Sequence, residues 1–201
     1  MYTDKRKTMY FLGLDLGQKR DYSAVAVVER VNEKLMVRYL QRMPLGTPYP
    51  AVVARVREIV LNDALYGNCC VAVDATGVGA PVVDMLRAAR LGCALTAVTI
   101  TGGEKGSGSV WSGNASVPKR DLMAEMLVLL EKGQMKIGAT GEGRRLVREL
   151  KDVKAAMNGQ GKVRLGAEGN GEHDDLAIAV ALACWRAKGK GSCGEMGRRL
   201  L

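Results

Sequence analysis

The fold class of this chain is decided by the stretch YFLGLDLGQKRDYSAVAVVE, residues 10–29. Residues 10–16 form an apolar run that contains one carboxylate, Asp15, and residues 23–29 form a second apolar run after a short turn. Runs of this length between turn residues predict buried strands, and the short connection predicts an antiparallel hairpin. A carboxylate is costly to bury in a strand, so Asp15 is a candidate functional residue.

The chain continues with alternating strand and helix patterns. Strands are predicted at 34–40, 69–73, 93–100, 134–137 and 162–165. Helices are predicted from 52 to about 67, then at 78–90, 118–132, 142–153 and 174–186, with a flexible glycine-rich loop at 101–116. Three hairpin-linked strands followed by strand–helix units predict an α/β protein with a mixed sheet, antiparallel first and then parallel, flanked by helices.

This element order is that of the RNase H-like fold. We expect residues 10–187 to form one such domain, after an N-terminal extension at 1–9 and before a flexible basic tail at 188–201. No apolar run approaches the roughly 18 to 20 residues that a membrane span needs, and the first residues are charged, unlike a signal peptide. A cytoplasmic protein without a membrane partner is predicted.

Charge favours a polyanionic partner. Thirty Lys and Arg residues against 21 Asp and Glu residues give a formal net charge of +9. Aromatic residues are only 4% of the chain, so a duplex held through its phosphates is favoured over stacked single strands. The basic residues expected near the site, which ordinary surface exposure explains equally well, are Lys19, Arg20, Lys105, Lys119 and Arg120.

Acidic residues stand where packing would not place them: Asp15 in the first strand, Asp74 after the fourth, and Asp174 with Asp175 at the start of the last helix. In the predicted topology these carboxylates converge and repel one another, and Mg²⁺ or Mn²⁺ would relieve that repulsion. Two such ions roughly 3.5 to 4 Å apart activate water and stabilise the leaving oxygen of a phosphodiester. Turn or helix-cap roles are the alternative for each acid.

Two assignments within this set stay open. Neighbouring helical residues diverge by about 100°, so we expect one of Asp174 and Asp175 to bind metal, and the sequence does not decide which. His173, the only histidine, either ligates a metal, steers water or caps the helix.

Three motifs resemble the nuclease domain of phage terminase large subunits: GLDLG at 13–17 with DYSA at 21–24, VAVDATGVG at 71–79, and HDDLA at 173–177. The resemblance covers about residues 10–187, with VPKR at 117–120 and REL at 148–150. It implies an RNase H-like endonuclease that cuts concatemeric double-stranded DNA during bacteriophage genome packaging by a two-metal mechanism. Asp15, Asp74 and one of Asp174 and Asp175 match the metal ligands, and Asp21 matches an auxiliary acid.

One departure from this family concerns ATP. Terminase large subunits carry a packaging ATPase, whereas this chain has no G-x-x-x-x-G-K-S/T loop, because GGEKGS at 102–107 has the wrong spacing. We therefore expect no ATP site, and the expected partners besides DNA are a separate packaging ATPase, a small terminase subunit or a portal.

Three alternatives remain. A Holliday-junction resolvase of the same fold would prefer junctions to linear duplex. A non-catalytic DNA-binding or assembly module would lack a Mn²⁺-dependent gain in stability. A sugar-kinase-like or actin-like ATPase would also end its first strand in Asp-x-Gly, but it would need a second domain of that kind.

Overall fold

A computed structural model describes residues 8–17, 21–77, 79–110, 112–158 and 174–189. The strands in these ranges are β1 (Met9–Asp15), β2 (Ala24–Val31), β3 (Lys34–Arg42), β4 (Cys69–Asp74), β5 (Ala94–Thr101), β6 (Asn114–Pro118) and β7 (Met135–Ile137). The helices are α1 (Tyr49–Val60), α2 (Gly79–Ala88), α3 (Lys119–Glu131), α4 (Gly141–Asn158) and α5 (Asp175–Ala187).

The strands form one mixed sheet in the order β6-β5-β4-β1-β2-β3-β7. Antiparallel pairing joins β1 to β2 and β2 to β3, and all the other neighbours pair in parallel. This topology confirms the predicted fold class. Because Leu14 of β1 pairs with Val73 of β4, the next residues, Asp15 and Asp74, reach the same carboxyl edge of the sheet.

Helices cover both faces of the sheet and give it two hydrophobic cores. One core contains α5 with apolar side chains of α3 and α4, and the other contains the buried faces of α1 and α2. Every residue of α5 is buried, in agreement with its nearly continuous apolar sequence. The helix lies directly on β1 at Gly13, where an added Cβ would stand 1.9 Å from the carbonyl oxygen of Ala179.

Several element boundaries differ from the sequence prediction, and α4, for example, continues to Asn158 instead of ending at about 153. Helix α1 ends at Val60 rather than near Gly67, and turns connect it to β4. In these turns the Asn62 side chain accepts the backbone N–H of Ala64 at 3.1 Å, and Gly67 adopts a φ of +70°. Such side-chain bonds compete with helical hydrogen bonds, and glycine is favoured in that conformation.

The predicted glycine-rich loop contains a strand. Residues 114–118 pair in parallel with β5 as β6, and Ser107 exchanges two backbone hydrogen bonds with Ser116. The segment is five residues long and follows Gly113, so the alternation of Ala115 and Val117 with polar residues was too short to predict a strand. The strand predicted at 162–165 lies outside the described residues.

Within the described ranges, none of the helices combines the length and the apolar character needed to cross a bilayer.

Candidate active site

Four predicted acids meet at the carboxyl edge of the sheet. Asp15 ends β1, Asp74 ends β4, Asp174 precedes α5, and Asp175 is the first residue of α5. Asp15 is only 7% exposed. Its pKa is raised well above the ordinary value by burial and by the charges of Asp74, Asp175 and Asp174, while the charge of Lys119 lowers it. The fold therefore places these carboxylates in one electrostatic environment, as the topology predicted.

Thr76 holds the side chain of Asp74. The backbone N–H of Thr76 donates to Oδ1 of Asp74 at 2.8 Å, and the Thr76 hydroxyl donates to the same oxygen at 2.5 Å. The Thr76 hydroxyl oxygen in turn accepts the N–H of Ile100 at 2.8 Å. Burial raises the pKa of Asp74, although the Thr76 hydrogen bonds and the charge of Lys119 act in the opposite direction. A role of Asp74 in the turn therefore explains the hydrogen bonds of its Oδ1, but both of these bonds leave Oδ2 aside.

Asp174 pairs with a lysine instead of capping its helix. The Nζ of Lys119 lies 2.7 Å from Oδ2 of Asp174, and the Lys119 side chain is 18% exposed. Asp174 makes no side-chain hydrogen bond to the N-terminus of α5, although it occupies the cap position. Lys119, predicted as a phosphate contact, therefore stands against a carboxylate of the site.

Glu149 of α4 caps α5 in place of Asp174. Its Oε2 accepts the N–H of Ala177 at 2.9 Å, and its Oε1 accepts Nη2 of Arg42 at 2.5 Å. That N–H belongs to the first turn of α5, where a backbone donor has no partner within the helix. Nη2 of Arg42 also lies 3.4 Å from Oδ2 of Asp175, so one guanidinium links α4, β3 and the start of α5.

Sequence reasoning assigned no role to Arg42 or to Glu149, although Glu149 lies in the REL motif at 148–150. Burial raises the pKa of Glu149 to about 7; the Ala177 N–H and Arg42 lower it, and Asp175 raises it. A signal for Glu149 was present, because this carboxylate interrupts the apolar stripe that Leu146, Leu150 and Val153 form on α4. Arg42 gave no comparable signal.

The other predicted site residues lie outside this cluster or outside the described residues. Asp21 and Lys105 are exposed, and within the described chain neither forms a hydrogen bond or ion pair with the carboxylates. Arg120 is exposed, with its Nε 3.4 Å from Oδ1 of Asp121. Three predicted site residues, Lys19, Arg20 and His173, lie outside the described residues.

An open cleft of about 320 Å³ gives access to one side of the cluster. Its lining includes the acidic Asp74 with Thr76, the basic Lys119 and Arg120, residues 100–103 and Ile178. The entrance thus combines a carboxylate with basic side chains, which suits an anionic substrate held beside an acidic site.

The donors of the cluster fit a hard divalent cation by their chemistry. Mg²⁺ and Mn²⁺ prefer carboxylate oxygens, and a cation would relieve the repulsion around the buried Asp15. As the side chains stand, no three or more His, Cys, Asp or Glu residues in the described ranges are arranged as a metal site. Two of the carboxylates are instead engaged by cations of the chain itself, Asp174 by Lys119 and Asp175 by Arg42.

Comparison with known sequences finds no matching family model and no matching curated protein. Solved structures do match. The large terminase nuclease from thermophilic phage G20c with bound magnesium has a TM-score of 0.60 and 24% identity, over 89% of this chain and 82% of that one. The manganese-soaked human cytomegalovirus terminase nuclease domain has a TM-score of 0.56 and 14% identity, over 91% of this chain and 86% of that one.

A large terminase from a thermophilic bacteriophage matches with a TM-score of 0.59 and 13% identity, over 90% of this chain but 40% of the terminase. This chain therefore corresponds in extent to the nuclease domains rather than to that longer protein. The seven-stranded mixed sheet and its flanking helices have the fold of the terminase nuclease domains.

Proposed function

We propose that this protein is a metal-dependent endonuclease that cleaves double-stranded DNA, as the terminase nuclease resemblance implies. The observation that carries the proposal is the meeting of Asp15, Asp74 and the start of α5 at one edge of the sheet. A cluster of this kind has a chemical use in phosphodiester hydrolysis, and no packing benefit explains it.

In this proposal Asp15 and Asp74, with one of Asp174 and Asp175, hold Mg²⁺ or Mn²⁺, with two ions expected. When bound, these cations activate water and neutralise charge on the scissile phosphodiester. Asp21 and His173 are proposed as auxiliary residues.

The surrounding residues position the carboxylates and the substrate. Thr76 fixes one oxygen of Asp74, and Glu149 with Arg42 fixes the N-terminus of α5. Phosphates that enter the cleft would meet Lys119 and Arg120, both of which line it. Lys19, Arg20 and Lys105 are proposed as further phosphate contacts.

The comparisons support divalent-metal chemistry, because one neighbouring structure contains bound magnesium and another was soaked with manganese. We propose a domain at residues 10–187, with an N-terminal extension at 1–9 whose last residue, Met9, is already part of β1, and with a basic tail at 188–201. No ATP site is proposed. Cleavage would serve phage genome packaging in the host cytoplasm, with a separate ATPase, a small terminase subunit or a portal as partner.

Plasmid cleavage tests the proposal. Supercoiled plasmid is incubated with the protein and Mn²⁺, Mg²⁺ or a chelator, and the products are separated on a gel. We expect nicking and linearisation with Mn²⁺ or Mg²⁺ only, and a loss of orders of magnitude in Asp15→Asn and Asp74→Asn, because each variant removes a ligand charge and nearly preserves shape. The exposed Asp63→Asn is the matched control.

Retention of more than about a tenth of the wild-type rate in both site variants would remove the assignment of these residues. Faster cleavage of a four-way junction than of linear duplex would favour a resolvase. DNA binding without cleavage or metal response would favour an assembly module.

A further inference from the structure

Lys119 forms an ion pair with Asp174, one of the four carboxylates of the cluster. Its Nζ lies 2.7 Å from Asp174, and both side chains are partly withdrawn from water. Partial burial strengthens the attraction beyond that of an exposed pair, because solvent screens the charges less.

The backbone holds Lys119 at this place. Lys119 is the first residue of α3 and directly follows Pro118, which pairs with Thr101 of β5. The sheet register therefore delivers the lysine to the same edge as the carboxylates. The Lys119 charge also acts on two carboxylates besides Asp174, because it lowers the pKa of both Asp15 and Asp74.

The two cations of the cluster differ in how firmly they are held. Arg42 bonds to the buried Glu149, over the ring of Tyr22, and so is fixed from several sides. Lys119 carries a compact charge on a flexible stem and borders the open cleft. It is the cation that can withdraw when another positive charge arrives.

We propose that Lys119 is a built-in counter-cation, which neutralises Asp174 in the metal-free protein and competes with a divalent cation for that carboxylate. This inference rests on the proposed metal-dependent function. A divalent cation that takes Asp174 would release the ammonium into the cleft, where it can bind a substrate phosphate. The sequence-predicted phosphate contact would thus form only after metal has bound.

The test measures Mn²⁺ affinity by titration calorimetry, without DNA. Lys119→Met keeps the length of the side chain and removes its charge. We expect Mn²⁺ to bind on the order of tenfold more tightly or better, and the metal-free melting temperature to fall. Lys132→Met removes a lysine at the other end of α3 and should change neither value.

A double-mutant cycle identifies the carboxylate involved. In an Asp174→Asn background, Lys119→Met should no longer tighten Mn²⁺ binding, because the competition has been removed. Unchanged or weaker binding in Lys119→Met, absence of binding in both proteins, or equal tightening in the Asp174→Asn background would each overturn the inference.

A folding failure of Lys119→Met is also informative. Recovery of the folded state by Mn²⁺ would support the inference, and failure to fold even with Mn²⁺ would contradict it. Lys119→Arg keeps the charge and should retain wild-type Mn²⁺ affinity to within about threefold; tightening equal to that of Lys119→Met would count against the inference. Plasmid cleavage by the wild type tests the proposed function separately, since the calorimetry uses no DNA.

Discussion

Asp15 lies among like charges in a buried strand end, and this makes its ionisation unfavourable in the metal-free protein. Its pKa in the folded state is raised by burial and by the neighbouring aspartates. The folded state therefore binds a proton more tightly than the unfolded chain does. The contribution of this shift to the free energy of unfolding is fully present below the unfolded pKa of about 4. It is lost as the pH rises through the folded pKa.

Asp15→Asn should accordingly stabilise the metal-free protein, and more so at about pH 8 than at about pH 4. The gain at high pH is about 1.4 kcal/mol for each unit by which the folded pKa is raised. Urea unfolding in the presence of a chelator measures it, with Asp63→Asn as the exposed control. An equal gain at both pH values would show that ionisation of Asp15 is not the cause.

The candidate site could be predicted where one residue conflicts with its own sequence surroundings. Asp15 and Asp74 interrupt or end apolar runs, so each was visible without any knowledge of its neighbours. The contacts of Glu149 with Arg42 and Ala177 join positions that are distant in the sequence, and no local pattern records them. The pairing of Lys119 with Asp174 was hidden for the same reason.

Helix α5 and strand β1 depend on one glycine for their contact. A Cβ at Gly13 would meet the Ala179 carbonyl oxygen at 1.9 Å and the Ala183 nitrogen at 2.8 Å, both of which are backbone atoms. Neither can rotate away, so relief requires the helix to move off the sheet. Such a movement would displace Asp174 and Asp175 at its N-terminus.

Gly13→Ala should therefore lower the free energy of unfolding by about 3 kcal/mol or more, and should reduce plasmid cleavage as well. Gly141→Ala is the matched control, because nothing lies within 4 Å of its added Cβ. Urea unfolding of both variants checks the expectation. Wild-type stability in Gly13→Ala would mean that α5 packs less closely than described.

Elements with a long and regular hydrophobic pattern were predicted well, whereas the short strand β6 and the end of α1 were not. The first two hairpin strands and α5 are indicated by nearly continuous apolar runs, and the third strand is indicated by alternation. β6 is harder to see, because its alternation contains only two apolar residues, Ala115 and Val117, in a stretch rich in glycine and serine. The end of α1 was misplaced because side-chain and glycine turn chemistry overrides the helical spacing after Val60.

The whole molecule carries a formal charge of +9, which predicts DNA binding that depends on salt and not on base sequence. The logarithm of affinity should fall linearly with the logarithm of salt concentration, with a slope of about −0.9 for each phosphate contact. Fluorescence anisotropy with two unrelated duplexes in a chelator measures both properties.

The Lys19→Glu, Arg20→Glu double variant should weaken binding to both duplexes and flatten the slope by about one unit per lost contact. Unchanged binding and slope would place the DNA on another face of the protein.

The burial of α5 also determines when the protein can finish folding during its synthesis. This helix packs on β1, β2 and β4, which are made long before it during synthesis. Contacts between such distant segments form slowly, because closing the intervening chain costs conformational entropy before any contact is made. A growing chain would carry Asp15 and Asp74 without the acids of α5, so the proposed nuclease would stay inactive until this helix had left the ribosome and docked.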